Sequence, residues 1–160
     1  MKDLISVIGG GSCAPEDYAR AREVGRLLAE GGYGVVTGGL GGVMEAAHRG
    51  AHEAGGLTIA VLPGIVRGDA NPFAEIVLTT GLADARNVIV ATSGRVVVAV
   101  GGSFGTLSEI AFALKHNVPV IGLKSWMLPE HRLPTEGVRP VDTPAEAVDL
   151  VDQLVRGEVT

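Results

Sequence analysis

A chain of 160 residues with a formal net charge of −5 has the usual size of one domain, and its acidic and basic residues are interspersed. The absence of a run of Lys or Arg argues against binding to a nucleic-acid polymer or to a membrane, although a single phosphate could still be held locally. The one cysteine, Cys13, excludes an internal disulfide and a cysteine-built metal site. No apolar stretch approaches the roughly 20 residues that span a bilayer. These features predict a cytoplasmic protein.

Short runs rich in Val, Ile and Leu alternate with stretches of helical length along the chain. Strands are predicted over residues 4–8, 34–37, 57–62, 75–79, 96–100 and 119–123, and helices over residues 16–30, 43–54, 82–92 and 106–116. Several strands are nearly continuous in apolar residues, as is typical of parallel strands covered on both faces. The pattern predicts an α/β fold, in which residues 1–160 form a single Rossmann-like domain with a doubly wound, mainly parallel sheet flanked by helices.

The end of the chain repeats this alternation. Residues 138–142 could form a short edge strand, and a helix follows it, with Asp142 or Thr143 as the N-cap and Gly157 as the terminator. Two stretches, 63–73 and 124–137, contain no predicted element. Loops of this kind beside strand ends usually carry function or flank it.

Glycine is about twice as frequent as usual, with 24 residues. Clusters at 9–11, 38–42 and 101–105 lie at the ends of predicted strands. In an open parallel sheet, ligands bind beyond the carboxyl ends of the strands, at the point where the strand order reverses. A helix that begins there offers free N–H groups and a partial positive charge. We therefore expect these loops to hold an anionic group without the help of a lysine.

Two common nucleotide-binding motifs are matched only in part. Gly9-x-Gly11-x-x-Ala14 fits the dinucleotide fingerprint formally, but the second strand ends in VVTGG, without the acid that would bind the ribose hydroxyls. The segment GGSFGTLSE lacks the lysine of the P-loop. A nicotinamide or flavin dinucleotide is therefore the less favoured alternative.

Three segments carry a family resemblance: TGGLGGVMEAAHRGA at 37–51, GLADARN at 81–87 and GGSFGTLSEI at 101–110. Here the chain resembles the Lonely Guy family of nucleoside 5′-monophosphate phosphoribohydrolases and the related molybdenum-cofactor carrier proteins. The likeness covers nearly the whole chain, and its most specific element is G-T-x-x-E. The chain departs from the family pattern twice, because Val100 replaces a proline and Asn87 stands where a lysine would follow Arg86.

The resemblance implies the composition of a ligand site. Glu109 corresponds to the catalytic acid of the family, and Arg86 corresponds to its partner in the active site. A carboxylate there, which we expect on the first turn of its helix, would face the ribose and stabilise an oxocarbenium-like transition state. Glycine-loop backbone and nearby hydroxyls would bind the phosphate, and these residues are Gly10, Ser12, Gly38, Gly39, Gly41, Gly42, Gly101, Gly102, Ser103, Gly105 and Thr106.

Three functions remain open at this stage. The first is a carrier or sensor of a phosphorylated nucleoside or a pterin-nucleotide-like ligand, with the molybdenum cofactor as a candidate cargo and no required cofactor; Asn87 and Val100 favour it. The second is a phosphoribohydrolase that acts on a purine nucleoside monophosphate, which Glu109 with Arg86 favours. The third is a structural or regulatory subunit with an empty pocket.

Other chemistry is not supported by the sequence. His48 and His52 have a spacing that could share a metal but lack a third ligand, so we predict no metal site. No lysine has the context of a Schiff base to pyridoxal phosphate, which argues against a lysine decarboxylase. The apolar segments at 86–94 and 110–117 predict a homodimer or a larger homo-oligomer.

Overall fold

The computed structural model describes residues 3–129, 131 and 136–159. Its elements alternate between strand and helix as predicted. The strands are Leu4–Gly9 (β1), Gly34–Thr37 (β2), Thr58–Leu62 (β3), Ile76–Thr79 (β4), Val97–Val100 (β5), Val120–Leu123 (β6) and Val138–Val141 (β7). The α-helices are Pro15–Glu30 (α1), Val43–Glu53 (α2), Asn87–Ser93 (α3), Phe104–Lys115 (α4) and Pro144–Arg156 (α5).

All seven strands form one parallel sheet in the order β4-β3-β2-β1-β5-β6-β7. The chain runs from β1 outward to β4 and then returns to place β5 on the other side of β1, where Ser6 aligns with Val97. The strand order therefore reverses between β1 and β5, which is where an open α/β sheet forms its ligand crevice. The predicted fold class is confirmed.

Side chains of a strand alternate between the two faces of the sheet, so the apolar strands present apolar side chains on both faces. Helices cover both of these faces. On one face, residues such as Ile5 and Val7 join a core with α1, α2 and α5. On the other face, Ile8 and Ala99 pack with residues of α3 and α4. Strand β5, which lies next to the central strand β1, is fully buried, as its continuous apolar sequence predicts.

The start of α4 differs from the prediction by two residues. The helix begins at Phe104, because Ser103 takes an extended N-cap conformation and its N–H donates to Thr106 Oγ1 at 3.3 Å. Glu109 is consequently the sixth residue of the helix. The expectation of a carboxylate on the first turn was wrong, since Glu109 lies on the second turn.

The helix predicted over residues 82–92 is interrupted. A 3-10 turn over Ala83–Arg86 precedes α3, and Ala83 has a φ of 49°, a conformation that L-residues rarely adopt. The N–H of Ala83 donates to Pro63 O at 2.9 Å, which ties this turn to the loop after β3. The interruption matters because it sets the position of Arg86, the last residue before α3.

The end of the chain folds as expected. Strand β7 is an edge strand, and Thr143 rather than Asp142 caps α5 by accepting a hydrogen bond from Glu146 N at 3.2 Å. Gly157 ends the helix in the left-handed conformation with a φ of 69°. The unassigned stretch 63–73 contains a 3-10 turn over Arg67–Asp69. In the other, residues 130 and 132–135 lie outside the described residues.

Candidate functional site

A cavity of about 210 Å³ lies at the carboxyl ends of β1 and β5, at the reversal of strand order. Residues from five loops and helix ends surround it. Its lining consists of Ile8, Gly9, Gly11, Gly38, Leu40, Met44, Asp84, Arg86, Asn87, Ser103, Gly105, Thr106 and Glu109.

Arg86 and Glu109 form a buried charged pair in the wall of this cavity. Arg86 Nη1 lies 3.7 Å from Glu109 Oε1, and the two side chains are 9 % and 8 % exposed. The distance is too long for a hydrogen bond. No hydrogen bond from the described residues reaches the Glu109 carboxylate, which leaves its oxygens available to a ligand.

Glu109 is buried because of its position on α4. The residues of this helix that face the sheet are Thr106, Glu109, Ile110 and Ala113, with the spacing of a single helical stripe. A carboxyl group thus occupies a position that an apolar side chain would fill. Loss of solvation raises the pKa of Glu109 to about 7, and the positive charge of Arg86 offsets only part of this effect.

The guanidinium of Arg86 is held by groups other than Glu109. Its Nη1 donates to Asn87 Oδ1 at 2.5 Å and its Nη2 donates to Gly38 O at 3.3 Å. Its Nε is buried and has no hydrogen-bond partner among the described residues. Burial lowers the pKa of Arg86, while the charges of Glu109 and Asp84 oppose that change. A buried cation with an unused donor is costly for the fold alone.

The N-terminus of α4 supplies the second polar element of the cavity. Helix geometry leaves the N–H groups of the first turn without intrahelical acceptors, and Gly105 has no side chain to cover them. A Cβ added at Gly105 would meet no atom within 4 Å. Gly105 and Thr106 lie four and three positions before Glu109, so these residues and Glu109 share one helical face, about 5 Å apart along the axis.

Hydrogen bonds within a buried polar cluster hold the loop that carries Gly38 in place. Asn71 Nδ2 lies 3.2 Å from His48 Nδ1, and because an amide nitrogen can only donate, the ring proton resides on Nε2, which lies 3.1 Å from Thr37 Oγ1. Thr37 Oγ1 accepts from Gly39 N at 2.9 Å, and Asn71 N donates to Gly39 O at 2.8 Å. The burial of His48 lowers its pKa to about 4, so the imidazole is neutral at physiological pH.

The predicted site residues separate into three groups. Six of them line the cavity: Gly38, Arg86, Ser103, Gly105, Thr106 and Glu109. Two line a neighbouring cavity instead: Gly101 and Gly102. Gly10, Ser12, Gly39, Gly41 and Gly42 line neither cavity.

The third group serves the close approach of loops. Gly42 has a φ of 61°, and a Cβ there would lie 2.2 Å from Gly10 O, which accepts from Val43 N at 3.0 Å. Ser12 is exposed beyond this contact. The loops after β1 and β2 therefore pack against each other, and this contact supports the part of the cavity wall that the same two loops form.

Seven of the lining residues are not among the predicted site residues, and Asn87, Met44 and Asp84 are three of them. Asn87 stands where the family pattern has a lysine, and Met44 is the second residue of α2. Asp84 lies in the 3-10 turn that interrupts the predicted helix. The sequence did not predict that Asp84 and Arg86 line the same cavity, because side chains two positions apart point to different faces of the predicted α-helix.

Other features of the described residues do not compete with this site. A cavity of about 260 Å³ lies at the amino ends of β6 and β7, beside Val118 and Pro119, away from the crevice of the sheet. Within residues 3–129, 131 and 136–159, no group of three or more His, Cys, Asp and Glu is placed to hold a metal. No helix in this part of the chain is long and apolar enough to cross a membrane.

Comparisons with known proteins agree with this architecture. The model of the SLOG cluster4 family matches residues 2–148. A protein of Archaeoglobus fulgidus is 46 % identical over 145 residues, which are 91 % of each chain. The molybdenum cofactor binding protein of Rippkaea orientalis has a TM-score of 0.89 and 37 % identity, over 97 % of this chain and 98 % of that chain. The molybdenum cofactor carrier protein of Chlamydomonas reinhardtii has a TM-score of 0.85 and 36 % identity, over 97 % of this chain and 99 % of that chain.

Proposed function

The chain belongs to the SLOG cluster4 family, and from this premise we propose that it binds a phosphorylated nucleoside or a pterin-nucleotide-like molecule as a carrier or sensor. The anionic group would lie on the N–H groups at the start of α4, and the sugar or its equivalent would contact Arg86 and Glu109. The resemblance of sequence to the molybdenum-cofactor carriers is matched by a close similarity of structure.

The observation that carries this proposal is the buried pair with unused hydrogen-bonding capacity. Among the described residues, Arg86 Nε has no hydrogen-bond partner, and the Glu109 carboxylate, which is paired with Arg86 at 3.7 Å, accepts no hydrogen bond. Together with the open N–H groups one turn away, they offer donors, an acceptor and a partial positive charge to one molecule. A phosphate joined to a hydroxyl-bearing group fits this set of contacts.

The molybdenum cofactor is the candidate cargo. The two structural relatives are described as binding or carrying this cofactor, and its pterin bears a phosphorylated side chain. In this chain Ser103, Gly105 and Thr106 would bind the phosphate, with no cofactor required for folding. Two related expectations are kept as proposals: a cytoplasmic location, and a homodimer or larger assembly that light scattering on the purified protein would detect.

A phosphoribohydrolase is the second candidate, and the pKa of Glu109 favours it. In that reaction a water oxygen bonds to C1′ of the ribose, the C1′–N bond breaks, and the base leaves with its electron pair. A carboxyl group that titrates near neutral pH can take the proton of the water and transfer a proton to the base. Asn87 in place of the family lysine favours the carrier.

One experiment separates the candidates. The protein is purified at low ionic strength, bound small molecules are identified by mass spectrometry, and the protein is then titrated with AMP while free adenine is measured. We expect binding without release of adenine, and weaker binding in E109A. Release of adenine that E109A abolishes would support the enzyme. Silence toward nucleoside monophosphates and the absence of a co-purified ligand would support the third function, a structural or regulatory subunit.

A further inference from the structure

A second cavity of about 500 Å³ adjoins the candidate site. It lies at the carboxyl ends of β5 and β6, and its lining includes Gly101, Gly102 and Trp126. Gly102 lines this cavity and Ser103 lines the first one, so consecutive residues of one loop separate the two spaces.

Trp126 is fixed beside the start of α4. Its indole Nε1 donates to Ser103 O at 3.1 Å. Its ring stacks on Phe104, with centroids 6.1 Å apart and an interplanar angle of 29°. Phe104 is the first residue of the helix, and it is 81 % exposed, which is unusual for a phenylalanine. A rigid aromatic pair therefore stands next to the proposed phosphate position.

The size of the first cavity indicates where a ring would go. A volume of about 210 Å³ is smaller than the roughly 300–1,000 Å³ of sites that enclose a drug-sized ligand. The buried Arg86 and Glu109 side chains close one wall of this cavity. Under the proposed function a phosphorylated sugar would fill this space, and a fused ring attached to it would need room in the second cavity.

We propose that Trp126, supported by Phe104, is the platform on which the planar heterocycle of the ligand stacks. The inference rests on the proposed function and adds a specificity determinant to it. Stacking selects for a flat π-system, because the faces of such rings attract each other in offset geometry, and it accepts purines and pterins alike. A phosphorylated sugar without a ring would bind at the same phosphate position without this contribution.

The test uses the fact that Trp126 is the only tryptophan of the chain. The full-length protein is titrated with the carbocyclic analogue of AMP, whose base is not released, and with ribose 5-phosphate, by calorimetry and by tryptophan fluorescence. We expect both to bind, the analogue about three- to tenfold more tightly. Only the analogue should change the fluorescence of Trp126.

Two variants control the result. Both variants lose the indole hydrogen bond to Ser103 O, so each is judged by the ratio of its two affinities. W126L should lose the preference for the analogue over ribose 5-phosphate, while W126F should retain most of that preference. Circular dichroism and thermal unfolding confirm that each variant is folded. Equal affinity of the wild type for both ligands, or a preference that survives in W126L, would overturn the inference and leave the proposed function intact. Binding of neither ligand would overturn both.

Discussion

Arg86 and Glu109 face each other with 3.7 Å between Nη1 and Oε1, which is within the distance of an ion pair but too long for a hydrogen bond. Both groups are buried, and each is the nearest opposite charge to the other. The short hydrogen bond of Arg86 is nevertheless donated to Asn87 Oδ1. A ligand hydroxyl that lies beside the pair could accept a hydrogen bond from Arg86 and donate one to Glu109.

Replacement of Glu109 by Gln should change how stability depends on pH. The carboxyl has a pKa of about 7 in the folded protein and 4.5 as its ordinary value. Between these values the folded state keeps a proton that the unfolded state releases, so this group's contribution to stability is present at low pH and declines as pH rises toward 7. The decline is on the order of 3 kcal/mol at most.

The measurement is urea unfolding of wild type and E109Q at intervals from pH 4.5 to 7.5. The difference in unfolding free energy between them should shift in favour of E109Q as pH rises. E16Q, which alters an exposed acid of α1, serves as the control and should run parallel to the wild type. A constant difference between E109Q and wild type would contradict the prediction.

Gly38 has room for no side chain, and Gly38→Ala should disturb both the fold and the site. An added Cβ would lie 2.6 Å from Arg86 Nη2 and 2.7 Å from Met44 Sδ. We expect a loss of about 1–3 kcal/mol in unfolding free energy, because the guanidinium must move within a packed interior, together with weaker nucleotide binding by calorimetry. Gly64→Ala, where the nearest atom is 3.9 Å away, is the matched control. Equal stability of the two variants would refute the steric argument.

The fold was predictable because continuous runs of apolar residues indicate which strands are buried. Strand β5 reads VVAV and is buried throughout, and the glycine loops occur at strand ends, so the alternation and the location of the crevice follow from composition and order. The strand order itself was not assigned from the sequence. It places β5 beside β1, with Ser6 aligned to Val97, and thereby sets the reversal that forms the crevice.

Much of the site could not be predicted, because it depends on contacts between distant segments. Asn71 belongs to a stretch without a predicted element, and it orders the Gly38 loop through His48, 23 residues away in the chain. Gly101 and Gly102 follow β5 as expected, but positive φ angles of 54° and 121° turn them toward the second cavity. Because glycine adopts positive and negative φ angles about equally well, the sequence of a glycine run does not determine which cavity the loop lines.

Gly105→Ala should separate binding from folding. The new methyl group meets no atom within 4 Å, and alanine has the better helix propensity, so stability should be unchanged or higher by up to about 1 kcal/mol. The methyl group would cover N–H groups at the start of α4, so affinity for ribose 5-phosphate should fall at least severalfold in calorimetry. Gly68→Ala, also in open space but outside the cavity, should bind normally. Full affinity in G105A would show that the anion lies elsewhere.

His48 should impose a pH dependence of opposite sign to that of Glu109. Its pKa is about 4 in the folded protein against an ordinary value of 6.5. As pH falls from 6.5 to 4, the unfolded chain takes up a proton that the folded chain refuses, so stability declines on acidification, by about 3 kcal/mol at most. From pH 4.5 to 6.5 the two groups act against each other, and wild-type stability should vary little because of them.

The contribution of His48 is therefore best measured where Glu109 no longer titrates. In E109Q, unfolding free energy should fall clearly from pH 6.5 to 4.5, and the further change H48Q should flatten this profile. The double variant should also lose about 1–3 kcal/mol at pH 7, since a glutamine cannot satisfy both Thr37 and Asn71 in the geometry of the imidazole. H52Q, at an exposed position one turn along α2, should leave the profile of E109Q unchanged. A profile equally steep with and without His48 would mean that Asn71 and Thr37 hold the Gly38 loop without a neutral ring between them.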